Sequence, residues 1–353
     1  MEPRGQVAAQ LRDQSRACEA MGSSLYAQLL ERAAEDVEGS GPVWNVLAPY
    51  VAPGRGGALA LRLLAAVHRL VLLGRLPALA RHYPSAGGTS GLAGAWPAFA
   101  GAVERHTGEI RELVSLPCQT NEVGRCAALA FGFLEIAAAT PLPLRLLEVG
   151  ASAGLNLRWD HFRYEGGGAA WGDPASPVQL VRMWRDAPRR LGESVTVAER
   201  RGCDLNPLDP ADEADRLSLR ASIWADQPLR LARLEGALRI ADRVPVRLER
   251  ASVDDWLDPL LAQPATGVAT VVYHSVVDEY LDGGVRARFH DAVATAAGLA
   301  TSAAPLAWLR LEPSSDVRHH TLTLTLWPPG REEALAVCGA HGSDVARLPA
   351  QGS

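Results

Sequence analysis

Past Pro141 the chain changes character, and that change constrains its fold more than any other feature. Five short apolar runs, 144–149, 195–203, 246–250, 268–274 and 306–311, recur with helical stretches at 229–241 and 285–299 between several of them. Short strands alternating with helices predict an open α/β sheet whose strands are mostly parallel. The chain closes with Thr321-Leu322-Thr323-Leu324-Thr325-Leu326, a strict period of two, then Pro328-Pro329-Gly330 and the run 334–338. This predicts an antiparallel hairpin with a buried leucine face at one edge of the sheet.

Residues 1–140 read differently. Leu11, Cys18, Leu25, Leu29 and Leu30 fall at helical spacing before the Gly39-Ser40-Gly41-Pro42 breaker. Further helices are expected at 58–82, interrupted at Gly74 and Pro77, and at 98–116. The expected organisation is a helical N-terminal domain, 1–140, followed by a sheet domain, 141–353. The stretch 164–190, rich in Gly, Trp and Pro, reads as an insertion beside the sheet or a lid.

Composition removes whole chemistries. The 353 residues contain no lysine, so every one of the 35 basic side chains is arginine. Schiff-base enzymes, Walker-type nucleotidases and protein kinases all need the ε-amine and are excluded. A net charge of -5 gives no basic footprint for nucleic acid or an anionic membrane. Cys18, Cys118, Cys126, Cys203 and Cys338 are odd in number and form no Cys-x-x-Cys pair, which suits free thiols in a reducing cytoplasm. No apolar segment follows Met1-Glu2-Pro3-Arg4-Gly5, so no signal peptide is expected. The most apolar stretch, 58–80, carries Arg62, His68, Arg69 and Arg75 and reads as a pair of amphipathic core helices rather than a membrane span.

The most informative residues are Glu148-Val149-Gly150-Ala151-Ser152-Ala153-Gly154-Leu155-Asn156. A glycine turn between a strand and a helix brings backbone close to a ligand and aims helix N–H groups at it. An acidic residue two positions before glycines spaced along such a turn resembles the first motif of class I S-adenosylmethionine-dependent methyltransferases, with Ser152 at the place of the middle glycine. A longer pattern is similar to a bacterial family catalogued as domain of unknown function 2332, over nearly the whole chain. It comprises Gln119-Thr120-Asn121-Glu122-Val123-Gly124-Arg125, the stretch 148–157, and Arg201-Gly202-Cys203-Asp204-Leu205-Asn206-Pro207. The methyltransferase resemblance implies a Rossmann-like sheet and S-adenosylmethionine as cofactor. Glu148 would orient its methionine end through water or backbone, with Gly150, Ser152 and Gly154 passing beneath it. It also implies a helix before the terminal hairpin, for which the chain between Leu311 and Thr321 is too short; the last strands are expected to be rearranged.

The remaining positions carry two readings each. An acid at the end of the second strand grips ribose hydroxyls, usually about 20 residues after the turn. Asp204 lies 54 positions beyond Gly150, an excess that the insertion accounts for. Asp226 is the runner-up, and either aspartate could be a helix cap. By the resemblance, Asp254 would meet the adenine amino group and Trp256 its ring; Asp254 could equally cap a short helix. At the end of the fourth run, His274, Ser275, Asp278 and Glu279 are placed where reacting groups collect. There His274 is a candidate general base or a satisfied core histidine, and Asp278 and Glu279 are candidate catalytic acids. Gln119, Asn121 and Arg125 could meet a small-molecule substrate, or serve as a helix cap. No metal-ligand spacing is present.

A rival reading uses the same turn: Gly150-Ala151-Ser152-Ala153-Gly154 matches the Gly-x-Ser-x-Gly elbow of serine hydrolases, with His274, His319, His320 or His341 to complete a triad. The helical residues ahead of it supply no earlier strand for the second oxyanion N–H. A third reading is a nucleoside-binding protein without turnover.

Overall fold

A computed structural model of the protein describes residues 2–51, 58–314 and 319–349. In chain order the first helices are α1 (Pro3–Ala20), α2 (Ser24–Glu38), α3 (Pro42–Leu47), α4 (Leu59–Leu72), α5 (Pro77–Ala80), α6 (Ala95–Arg105) and α7 (Thr107–Val114). They are followed by α8 (Cys126–Ala139), α9 (Glu213–Ser222), α10 (Pro228–Ala241), α11 (Val253–Leu261) and α12 (Gly283–Ala297). The strands are β1 (Leu144–Val149), β2 (Arg163–Gly166), β3 (Ala169–Trp171), β4 (Gln179–Trp184), β5 (Val197–Asp204) and β6 (Arg247–Arg250). Then come β7 (Ala269–Ser275), β8 (Leu306–Pro313), β9 (His320–Trp327), β10 (Arg331–Cys338) and β11 (Ala346–Arg347).

Two compact units share the chain: Met1–Thr120 with Asp212–Ala232, and Asn121–Ala211 with Arg233–Ser353. The division therefore falls near 120 rather than 140, and a later stretch returns to the helical unit. The reason is visible in the packing: Trp224 and Ala225 are buried in the core made by Leu29, Leu63, Phe99 and their neighbours. In the same unit Asp226 receives the Ser23 hydroxyl (2.5 Å) and the Leu25 N–H (3.0 Å), a cap for α2 supplied from 200 residues away. Asp226 is thus a helix-capping residue and not a ribose ligand. Gly74, in the left-handed region at φ 73°, and Pro77 break the expected 58–82 helix into α4 and α5, and the 98–116 helix divides at His106.

The second unit holds an eight-stranded sheet in the order β11-β10-β9-β8-β7-β1-β5-β6. The five strands β6, β5, β1, β7 and β8 are parallel, while β9, β10 and β11 run antiparallel each to the one before. β9 pairs antiparallel with β8, Pro313 opposite His320, and among the described residues no helix lies between them. Leu322 and Leu324 of β9 are buried, as the period of two requires. Along β1, Leu147 and Val149 pack into the cluster of α11 and α12 with Trp256, Leu257, Phe289 and Trp308. Alternation sends Leu146 and Glu148 to the opposite face. On that face Phe133 of α8 stacks on Trp159 (4.4 Å) and meets Tyr273 edge-on (5.1 Å).

The insertion is not a lid. β2, β3 and β4 form a separate three-stranded sheet. Tyr164, fully buried, stacks on Trp184 at 5.6 Å, and the Trp184 indole N–H donates to the Ala127 carbonyl of α8 at 2.8 Å. Trp184 is a core residue and the half-buried Trp171 stacks on Trp159 at 5.3 Å, which fixes the segment in place.

Candidate functional site

In an open α/β sheet, ligands gather at the carboxyl ends of the strands where the strand order reverses. Here the reversal lies between β1 and β7. The loop after β1 is the glycine turn, with Gly150, Ser152 and Gly154 at φ 66°, 51° and 64°. The glycines have a packing reason: a Cβ on Gly150 would stand 2.6 Å from Val277 Cγ2, and one on Gly154 2.9 Å from Leu248. The loop after β7 contains Val276 at φ 59°, an uncommon conformation for a β-branched residue. The turn does not open an α-helix; a 3-10 segment, Asn156–His161, follows it.

Neighbouring segments hold the turn. Asp204, at the end of β5, accepts the Ser152 N–H at 2.9 Å and the Asn206 N–H at 2.8 Å. Asn121 accepts the Leu155 N–H at 2.9 Å, and Leu208 N–H donates to the Ser152 carbonyl at 3.2 Å. Arg158 donates to the carbonyls of Gly154 and Val244, both at 2.8 Å. Gly154 and Arg158 are thereby fixed from the inside of the fold.

Below the turn lies an uncommon charge arrangement. Glu148 is 3% exposed, and its Oε2 has no hydrogen-bond partner. Burial pushes its pKa up to about 8, against the opposing pull of the Tyr273 hydroxyl and the Arg158 guanidinium, with Asp204 adding to the rise. Tyr273 stands opposite Glu148 in the β1–β7 register, yet its hydroxyl does not reach hydrogen-bond geometry and is itself without a partner. The Ser152 hydroxyl is buried and unpartnered as well. No histidine is bonded to it, so no serine triad is assembled.

The positions expected to serve adenine have other work. Trp256 is buried in the α11–α12 core and donates its indole N–H to Glu249 at 2.9 Å. Asp254, the second residue of α11, pairs with Arg288 at 2.6 Å and with the Ser252 hydroxyl. The Ser252 hydroxyl and Arg288 outweigh desolvation and hold the carboxyl below its usual range.

At the β7 end, His274 is fully buried between Phe289 and Trp308, with Nδ1 2.7 Å from Glu312 Oε1 and Nε2 unpartnered. Glu312 also accepts the Val277 N–H at 2.9 Å. His274 and Glu312 therefore brace the loop that covers Gly150, and the imidazole is not presented at the sheet edge. Asp278 Oδ1 lies 3.5 Å from His290 Nε2, and Glu279 is exposed. Arg125 donates to the carbonyls of Ser275 and Ala340, both at 3.1 Å, so it ties two loops together. Gln119 belongs to the first unit; Asn121 and Arg125 belong to the second.

Glu312, Tyr273 and His290 had no sequence motif to mark them. Glu312 could have been found as a carboxylate at the end of the fifth parallel strand. Among the described residues no group of His, Cys, Asp or Glu has metal-site geometry, and no helix is long and apolar enough to cross a membrane.

No curated protein and no solved structure matches the chain. A family model described as "Uncharacterized protein conserved in bacteria (DUF2332)" matches residues 8–347, and the chain belongs to that family.

Proposed function

We propose that the protein binds S-adenosylmethionine over the glycine turn and transfers its methyl group to a small molecule. The observation that carries this reading is the pair of carboxylates at the turn, Glu148 beneath it and Asp204 beside it, in a sheet whose parallel strands follow the dinucleotide-fold order 3-2-1-4-5. A pyrophosphate ligand would need helix N-terminal amides and no nearby acid. This turn has no following α-helix, the buried Arg158 cation beside it is bonded to the Gly154 and Val244 carbonyls, and its acids suit a positively charged nucleoside without phosphate.

In this reading the half-buried Asp204 carboxylate, which accepts the Ser152 and Asn206 N–H groups, is the acid that meets the ribose hydroxyls. The unpartnered Glu148 Oε2 and Ser152 Oγ supply polarity toward the methionine end. The adenine pocket then uses backbone at the end of β6 rather than the side chains of Asp254 and Trp256. S-adenosylmethionine brings an activated methyl group on a sulfonium; the protein holds the acceptor in line with it and excludes water. Asp278 and Glu279 are the acids at the β7 end for an acceptor to meet.

Calorimetric titration with S-adenosylmethionine and S-adenosylhomocysteine, with ATP and NAD as controls, tests the reading. Saturable binding of the first two, weakened in Asp204→Ala, is expected. Absence of heat at millimolar ligand with either adenosyl compound sinks it.

A further inference from the structure

We propose that Glu148 is the charge-sensing residue of this site: a neutral carboxylic acid in the ligand-free protein, it gives up its proton when a positively charged ligand settles over residues 150–154, and so favours a sulfonium donor over its neutral thioether product. This rests on the reading above. The geometry is that of a buried carboxyl group with no cation bonded to it, Arg158 acting on it only through space. Glu148 is 3% exposed, Oε2 has no partner, and Gly150 is only two residues on.

Every group around it leaves that position open. From β7, Tyr273 faces the carboxyl across the strand register and its hydroxyl pulls the pKa down, without closing a bond of normal geometry. From the 3-10 segment, Arg158 is nearest in charge, but its Nε and Nη1 hydrogens go to the carbonyls of Val244 and Gly154. Arg200 on β5 is held by Asp160 through two bonds of 2.7 Å. Asp204 at the β5 end disfavours a second negative charge, while the Cys203 and Cys126 thiols are held neutral by burial, the latter donating to Asn156 Oδ1 at 3.3 Å.

The exchange balances simply: the neutral acid plus a cationic ligand gives carboxylate, bound cation and one proton released to solvent. A unit charge about 5 Å away at an effective dielectric of about 20 lowers a neighbouring acid's pKa by about two. That is enough to carry a carboxyl titrating at about 8 below neutrality. The donor and its product share the α-ammonium group and differ by the sulfonium charge, so the proton tracks the charge that methyl transfer removes.

The test is calorimetry of the full chain with S-adenosylmethionine at pH 6.5, in two buffers of different ionisation enthalpy; at that pH the ligand's own amino group stays protonated. Release of about 0.7 proton is expected for the donor, from a carboxyl moved from about 8 to about 6, and clearly less for S-adenosylhomocysteine. Isosteric Glu148→Gln should bind with release near zero, while Asp204→Asn keeps it. Donor affinity in the wild type should rise with pH, by up to about tenfold per unit, and level off above about 8. Buffer-independent heat with good donor binding overturns the proposal and leaves the methyltransferase reading standing, as does equal release in Glu148→Gln. Failure to bind any adenosyl ligand overturns both.

Discussion

Asp204 accepts the backbone N–H of Ser152 at 2.9 Å, so a side chain on β5 sets the shape of the loop that leaves β1. Since the same carboxylate also takes the Asn206 N–H, removing it leaves two loop N–H groups without their acceptor. Asp204→Ala should lower unfolding free energy by about 1–3 kcal/mol in urea titrations, and Asp204→Asn by less. An unchanged midpoint in Asp204→Ala would show that the turn holds itself.

Glu148 makes the ligand-free protein less stable as pH rises. Its carboxyl titrates at about 8 in the fold against 4.5 when unfolded, so the folded state binds the extra proton between those values. The stability tied to that proton is fully present below 4.5 and is lost as pH climbs through about 8. Glu148→Gln should therefore match the wild type near pH 4.5 and exceed it at pH 8.5 by up to a few kcal/mol, on the order set by the pKa difference. Denaturant titrations at the two pH values give the answer, and a variant no more stable at pH 8.5 counts against a buried neutral acid.

Gly150 and Val277 are a matched pair. A Cβ on Gly150 would meet Val277 Cγ2 at 2.6 Å, in a backbone at φ 66°. Gly150→Ala should cost about 1–3 kcal/mol. Adding Val277→Ala should recover the steric part but not the backbone part, leaving a positive coupling in a double-mutant cycle.

Glu312 answers to acid in the opposite direction from Glu148. Burial raises its pKa, but the bond from His274 and the N–H groups of Val277 and Asp278 outweigh that and leave it below 4.5. A depressed acid stabilises the fold above its unfolded value, and that stability disappears as pH falls through the lower, folded one. Glu312→Gln should thus be clearly weaker than the wild type at pH 7, with the gap closing under acid conditions. Thermal unfolding at pH 7 and at about pH 2, well below the carboxylate range, checks this; a gap that persists at the acid end would assign the loss to shape rather than charge.

Much of this architecture is legible in the sequence because it follows local rules. The five apolar runs became β1, β5, β6, β7 and β8, and the Thr-Leu alternation became β9. The short stretch after Leu311 left no room for a helix before the terminal strands, and β9 pairs antiparallel with β8. What escaped was non-local. Nothing near Asp226 says that its partner is Ser23, nor does the Tyr164 region reveal that its aromatic rings bury against each other. His274 sits in a sequence suited to catalysis, yet a half-buried glutamate 38 positions later decides its surroundings. Trp256 looked available to a ring ligand until the α11–α12 core enclosed it.

The central claim is most directly tested by a crystal structure of the protein grown with S-adenosylhomocysteine. The nucleoside is expected over residues 150–154, its ribose hydroxyls against the Asp204 carboxylate and its amino-acid end above Glu148. Density for the ligand at another place in the sheet unit, with the Asp204 and Ser152 groups untouched, would contradict it.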